Sequence, residues 1–163
     1  MPDMLVKLYD IPLLQPVIEA IAQQGVTVRR ALILDKPATL AWVRNAFPGW
    51  AAEVEASFCR LPVACFIAQR NQTLVGFACY DATCFNFFGP TAVAEEERGH
   101  GIGRAMLLAT LYAQKAQGYA YAIIGGVGPA EYYTKTVGAV LIEGSSPGIY
   151  PDRLQPSPTK PLS

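Results

Sequence analysis

No charge of either sign dominates this chain. Thirteen Lys plus Arg stand against 13 Asp plus Glu, a formal net charge of +0, so nothing favours a nucleic-acid or anionic-membrane partner. Long apolar runs are missing too: none approaches twenty residues, and Met1 does not open a signal peptide, so a reducing cytoplasm is the expected compartment. The four cysteines, Cys59, Cys65, Cys79 and Cys84, show no C-x-x-C spacing, and three lie in apolar runs where a thiol behaves as a small hydrophobe. Histidine is almost absent, His100 being the single one, and no metal site is expected. No internal repeat is visible.

What remains is enough for one enzyme-sized domain. With 163 residues, 52% of them hydrophobic, the chain can bury a substantial core without staples. Leu13, Leu14, Val17, Ile18 and Ile21 recur at helical spacing over residues 12–24, and Gly25 stops them. Residues 26–34 read as a first strand. Asp35 is placed to cap a helix with Pro37 in its first turn, running to about Phe47, and after Pro48 and Gly49 helical character resumes over 50–60. Residues 63–69 and 73–80 are β-rich runs around an Arg70-Asn71-Gln72 hairpin signal, and 85–93 adds another strand. Ile102, Ala105, Met106, Ala109, Tyr112, Ala113 and Ala116 form one apolar stripe of period near 3.6 that ends at Gly118. A strand over 119–124, a short helix over 129–136, a strand over 139–142 and a strand stub within 148–154 complete the order. The tail from Gln155, with Pro156, Pro158 and Pro161, reads as disordered.

Between the 85–93 strand and the long helix stands Arg98-Gly99-His100-Gly101-Ile102-Gly103. Three alternating glycines clear side chains so that backbone N–H groups can converge on an anion, and the uncapped first turn of a helix adds partial positive charge. Arg98 and Arg104 supply formal charge on either side. The spacing excludes two anion classes. A dinucleotide fingerprint counted from Gly101 puts Met106 where the third glycine or alanine belongs, and a mononucleotide P-loop needs Lys then Ser or Thr where Arg104 and Ala105 follow Gly103.

The stretch from Val93 to Gly103 closely resembles the acyl-CoA signature of the GNAT-type N-acetyltransferases: a strand ending in Val, five positions to Arg or Gln, then alternating glycines and a helix. Glu95 departs from it, since the family often has proline there. The element order over residues 26–150 resembles the same family, as do Val75-Gly76-Phe77 and Tyr132-Tyr133 followed by Val137-Gly138-Ala139. The resemblance implies an α/β (α+β) GNAT-type fold, a mixed central sheet of six to seven strands flanked by helices. One acetyltransferase domain would cover residues 1–154, with 1–25 an added N-terminal helical extension.

It also implies a reaction, acetyl transfer from acetyl-CoA to a primary amine. The strand ending at Val93, through Thr91, Ala92 and Val93, would pair with the pantetheine arm where the fourth and fifth strands of the family splay apart. Phosphates would sit on Arg98, Gly99, His100, Gly101, Ile102, Gly103 and Arg104. A phenol suits the protonation of a departing thiolate, and Tyr133 matches the family's tyrosine, with Tyr132 as the alternative because four residues rather than three precede Gly138. For the base, Glu95 acting through water is the first candidate and Asp81 the second. Glu95, Glu96 and Glu97 would repel phosphates if turned inward, so at least two should point outward. His100 sits at a variable turn position and is not expected to catalyse.

Trp42, Phe47 and Trp50, with Phe85, Phe87 and Phe88, flank the acceptor cleft of the family. Few acids accompany them, which points to a small, partly apolar amine, with a peptide N-terminus or lysine as the other acceptor. The rival class is a CoA-binding sensor or regulatory module without turnover. A homodimer through edge strands is common in the family.

Overall fold

The structure is a computed structural model that describes residues 1–155. From Pro156 onward the expected disordered tail lies outside those residues. Among the described residues, seven strands form one sheet: β1 (Met4–Lys7), β2 (Thr27–Arg30), β3 (Cys65–Arg70), β4 (Thr73–Tyr80), β5 (Phe87–Val93), β6 (Tyr121–Ile124) and β7 (Val140–Leu141). Among the described residues, five α-helices accompany them: α1 (Gln15–Ala22), α2 (Lys36–Ala46), α3 (Ala51–Ser57), α4 (Ile102–Ala116) and α5 (Ala130–Val137). The order across the sheet is β2-β3-β4-β5-β6-β1-β7, and every pair is antiparallel except β5 with β6. No helix among the described residues is long and apolar enough to cross a membrane.

The sheet is covered on both faces. On one, Ile102, Ala105, Met106 and Leu108 of α4 pack with Ile21 of α1, Val137 of α5 and Met4, Val6, Ala78 and Ala122 of the strands. On the other, Leu40 and Val43 of α2 and Val54 of α3 pack with Ile67, Phe77 and Cys79. Gly76 lets α4 come this close, because a Cβ there would stand 2.8 Å from the Met106 methyl and 2.9 Å from the Ala92 carbonyl oxygen. The β3–β4 hairpin turns on Asn71 and Gln72, both left-handed at φ 48° and 63°, which suits the right-handed twist of the flanking strands.

The expected N-terminal helical extension is corrected at its start. Met4–Lys7 is a strand, inserted between β6 and β7, with Met4 and Val6 buried in the alternation that a strand requires. The helix that follows begins at Gln15 rather than at residue 12, with a proline in its first turn. The 26–34 strand is cut to Thr27–Arg30, and Leu32, with Ile33 and Leu34 in the 3₁₀ turn that follows it, lies exposed outside the sheet. Asp35 does stand at the start of α2 without capping it. Its carboxylate instead takes two bonds from Arg29, at 2.7 and 2.9 Å, and one from the Leu32 N–H. The expected stub within 148–154 is not a strand, and the sheet's seventh strand is the one at the N-terminus.

Strands β5 and β6 position the site. They pair only at Phe87 with Ile123 and Phe88 with Ile124. Beyond Phe88, β5 continues to Val93 with no β6 partner, so the two strands part and leave a gap in the sheet.

Candidate active site

The backbone on the open side of β5 can be assigned from its ladder. Ala94 donates its N–H to the Val75 carbonyl at 2.8 Å, and Ala92 stands opposite Phe77 in the same register. Because an antiparallel strand alternates its polar groups between its two edges, Thr91 and Val93 turn theirs into the gap. The Val93 carbonyl meets the Arg98 Nε–H at 3.2 Å, while the Thr91 hydroxyl is held by the Phe77 carbonyl at 3.0 Å.

The glycine turn follows directly. Gly99 and Gly101 are left-handed, at φ 81° and 87°, a region that suits glycine. Gly101 caps α4 with no side-chain hydrogen bond, so no side chain competes for the first-turn N–H groups of a 15-residue helix. Gly103 needs no special backbone. A Cβ there would lie 3.6 Å from Val93 and 3.7 Å from the Tyr132 hydroxyl, and its absence leaves that space open.

A cavity of about 590 Å³ joins these parts. Thr91, Ala92 and Val93 line it from β5, and the turn from Arg98 to Arg104 contributes all but His100. Tyr132 and Tyr133 line it from α5, and Phe47 and Trp50 line it from the connection between α2 and α3. Leu107, one turn beyond Gly103 on α4, also faces it.

The two tyrosines differ. Tyr133 is buried, its ring edge-on to Phe88 at 6.3 Å, beside the point where β5 and β6 part. Burial, followed by the neighbouring phenol, pushes its pKa up to about 12, so at neutral pH the hydroxyl keeps its proton. Tyr132 is 40% exposed, and its hydroxyl reaches the start of α4. Burial raises its pKa as well, opposed by a hydrogen bond from Thr136 and the charge of Arg104.

The carboxylates fall elsewhere than expected. Glu95 and Glu96 are exposed, and Glu95 is not brought into the cavity. Glu97 is the acid that lines it, with both carboxylate oxygens held by Arg70 at 2.8 and 2.9 Å. Arg70 thereby holds the Glu97 carboxyl below its ordinary range. Asp81 is corrected as a base: at the far end of β4 its nearly buried side chain pairs with Arg60 at 3.2 Å and accepts the Asn86 N–H at 2.7 Å. His100 is exposed, its Nδ1 3.2 Å from the Glu97 carbonyl oxygen. Among the described residues, no group of three or more His, Cys, Asp or Glu is arranged to hold a metal ion.

Only part of the expected aromatic set meets here. Phe47 and Trp50 stack at 5.1 Å and 18° on the cavity wall, and Phe88 sits at its base. Trp42 packs edge-on against Phe77 toward the core, Phe85 is exposed, and the Phe87 ring covers Gly125. The Arg70–Glu97 pair escapes a linear reading because 27 residues separate its members. Leu107 does carry a signal, its spacing of four from Gly103.

Residues 62–138 match the model of the acetyltransferase (GNAT) domain. Among solved structures, the GCN5-related glucosamine N-acetyltransferase region of a fungal multi-domain GH3 β-N-acetylglucosaminidase is similar with a TM-score of 0.72 and 15% identity, over 86% of this chain and 19% of that one. A GCN5-related N-acetyltransferase from Sphaerobacter thermophilus gives 0.66 and 20% identity over 86% and 48% of the two chains. One from Kribbella flavida gives 0.56 and 18% identity over 86% and 53%. At these identities the likeness is one of fold, and the chain spans from about a fifth to about half of the proteins it matches. No curated protein matches the sequence. The parted strands, the glycine turn and the match over residues 62–138 agree: the chain has the GNAT fold, and residues 62–138 are similar to the GNAT acetyltransferase domain.

Proposed function

We propose that the protein transfers the acetyl group of acetyl-CoA to the primary amine of a small, partly apolar acceptor. The observation that carries this reading is that one cavity joins the uncapped glycine turn, the unpaired edge of β5 and a buried neutral phenol. Acetyl-CoA, when bound, supplies the activated thioester and the leaving thiolate.

The chain's own residues then have distinct tasks. Backbone N–H groups at the start of α4, with Arg98 and Arg104, hold phosphate charge at one end of the cavity. The open edges of Thr91 and Val93 align an extended arm as an added strand would be aligned. Placing an amine beside the carbonyl so fixed supplies proximity and orientation, a large share of the acceleration for a bimolecular step. Tyr133 holds a proton for the departing thiolate. The amine, with a pKa near that of lysine, about 10.4, must first lose its own proton. With Glu97 held by Arg70 and Glu95 outside the cavity, water is the acceptor of that proton.

The stacked Phe47 and Trp50 favour an acceptor with an apolar body, and the absence of a free acid on the cavity wall disfavours a polyamine. The same lack of a free carboxylate favours the rival reading of a CoA-binding sensor without turnover. Thiol release from acetyl-CoA across a panel of arylalkylamines, amino acids, polyamines and short peptides separates the two. The expected result is turnover with the first group, verified by the mass of the acetylated product. Tight acetyl-CoA binding with no turnover on any member would leave the sensor.

A further inference from the structure

The gap between β5 and β6 has two faces, and Tyr133 stands on one of them. Phe88 and Ile124, the last pair before the strands part, turn their side chains to the α4 face, where Tyr133 meets the Phe88 ring edge-on. Phe87 and Gly125, one residue away on either chain segment, therefore face the α3 side. A Cβ on Gly125 would stand 2.9 Å from the Phe87 ring and 2.9 Å from the Tyr150 hydroxyl, so the glycine makes room for both. Tyr150 thus flanks the gap from the face opposite Tyr133. Beside it, past Phe88, the space is open: a Cβ on Gly89 would meet nothing within 4 Å.

Segments far apart in the chain hold Tyr150 there. The Ser145 hydroxyl accepts the Asp3 N–H at 2.8 Å and donates to the Ile142 carbonyl at 2.6 Å, and the Ile142 N–H donates to the Asp3 carbonyl at 2.9 Å. Asp3 Oδ1 in turn accepts the Gly126 N–H at 2.8 Å. Gly148, left-handed at φ 75°, turns the chain back, and the Tyr150 ring comes to lie 3.7 Å from the place a Cβ on Gly126 would take.

Glu53 brings charge to the same face. It stands one turn after Trp50, which lines the candidate active-site cavity, and it accepts a hydrogen bond from the Thr83 hydroxyl. The Tyr150 pKa is raised by burial first and then by the charge of Glu53, which puts the two side chains within electrostatic reach of each other. On the same helix Glu55 pairs with both Lys36 and Arg44, whereas among the described residues no cation pairs with Glu53 or with Asp3. Asp3 is committed to Gly126, so Glu53 is the half-buried carboxylate left without a counter-charge, a state that a cationic ligand relieves. The gap is polarised as a result, with Arg98 and Arg104 at the glycine turn and Glu53 on the α3 side.

We infer that the Tyr150 hydroxyl and the Glu53 carboxylate receive the ammonium of the acceptor on the α3 face of the gap, across the sheet from Tyr133. The apolar body of the acceptor lies against the stacked Phe47 and Trp50, and its one positive charge meets one carboxylate that stands beyond the coenzyme cavity's own wall. The amine then gives its proton to water and attacks from the face opposite the donor that awaits the thiolate. Glu53 and Tyr150 both fall outside residues 62–138, so they are selectivity elements of this chain rather than parts of the matched domain. This inference rests on the reading of the protein as an amine acetyltransferase.

Steady-state kinetics with acetyl-CoA and phenethylamine, together with calorimetric titration of acetyl-CoA, test it. Glu53→Gln keeps the side chain's shape and its acceptor for Thr83 while removing the charge, and Tyr150→Phe keeps the ring against Gly126. The expected result is a KM for the amine raised about tenfold in Glu53→Gln and about threefold in Tyr150→Phe, with acetyl-CoA affinity and melting temperature unchanged. A purely structural role would move the melting temperature and both substrates together. An unchanged amine KM in both variants, or equal weakening of amine and acetyl-CoA, would overturn the inference. A second measurement needs no variant: wild-type protein saturated with CoA should bind phenethylamine about tenfold more tightly than the neutral phenethyl alcohol, and equal binding overturns the inference whatever the variants do. Wild-type turnover with unaffected variants removes this inference alone. Wild-type protein that binds acetyl-CoA yet acetylates no arylalkylamine removes the acetyltransferase reading and this inference with it.

Discussion

Arg70 at the end of β3 grips Glu97 with two parallel bonds, Nε to Oε1 at 2.8 Å and the terminal nitrogen to Oε2 at 2.9 Å, and also donates to the Gln24 carbonyl. One guanidinium thus joins the β3–β4 hairpin, the segment leading into the glycine turn and the loop after α1. It also neutralises the one acid that lines the candidate site.

Removing Arg70 should therefore harm anion binding more than folding. In Arg70→Leu the turn loses its brace and Glu97 becomes an uncompensated negative charge beside the phosphates. Coenzyme affinity is expected to fall about tenfold, the scale of a charge-assisted hydrogen bond. Adding Glu97→Gln removes the repulsion without restoring the brace, so the double variant should recover part of the loss. Titration of both variants checks this. A double variant as weak as the single one would assign the whole effect to the brace.

Gly101 and Gly103 should fail in different ways when replaced by valine. At φ 87°, Gly101→Val forces a β-branched residue into the left-handed region and should cost about 1–2 kcal/mol of stability or more, along with binding. Gly103 is not left-handed, and its Cβ would meet only ordinary contacts. Gly103→Val should melt near the wild-type temperature yet bind coenzyme poorly, because the side chain stands in the cavity. Melting curves with and without acetyl-CoA distinguish the two. Full ligand response in Gly103→Val would mean that the phosphates lie elsewhere.

The burial of Tyr133 has a consequence for stability at high pH. Its pKa stands at about 12 in the folded chain against an ordinary 10.0. Below pH 10 the phenol is protonated in both states, so its contribution is fully present there. Above that, the unfolded chain releases a proton that the folded chain keeps, and stability falls until the pH passes the folded value. The loss attributable to this group is about 2–3 kcal/mol. Urea midpoints measured from about pH 9 to 12 should decline, and Tyr133→Phe should flatten part of that decline. Tyr119, Tyr132 and Tyr150, all raised chiefly by burial, contribute to the remainder, as do Cys65 and Tyr9, raised chiefly by hydrogen bonding with Cys79 and Tyr121.

The glycine turn, the apolar stripe of α4 and the β3–β4 hairpin are legible in the sequence because each is local. Their signals are spacings within a few residues, and the physics behind them acts over the same range. Met4–Lys7 is not legible, since four residues of alternation are too short to stand out, and its place beside β6 depends on a segment more than a hundred residues away. The acids fail for the same reason. Glu95, Glu96 and Glu97 are chemically identical neighbours in the chain, and only the distant Arg70 makes one of them different. α1 is readable as an amphipathic helix, but its seat beside the turn depends on Gln24 meeting His100 across 76 residues.

The division of labour between the two tyrosines separates a catalyst from a binder. Tyr133→Phe keeps the ring against Phe88 and removes only the hydroxyl, so acetyl-CoA affinity should stay within about twofold while turnover drops roughly 10²-fold, the scale of general-acid assistance. The Tyr132 hydroxyl instead reaches the start of α4, near Gly103 and the charge of Arg104. Its loss should weaken coenzyme binding modestly and leave turnover at saturation nearly unchanged. A kcat effect for one variant and a binding effect for the other is the expected pattern. If the two phenotypes exchange, the acid is Tyr132 and the phenol mechanism stands with its residue corrected. If both variants acetylate at the wild-type rate, no phenol donates the proton, and the thiolate leaves unassisted from a site that works by positioning alone.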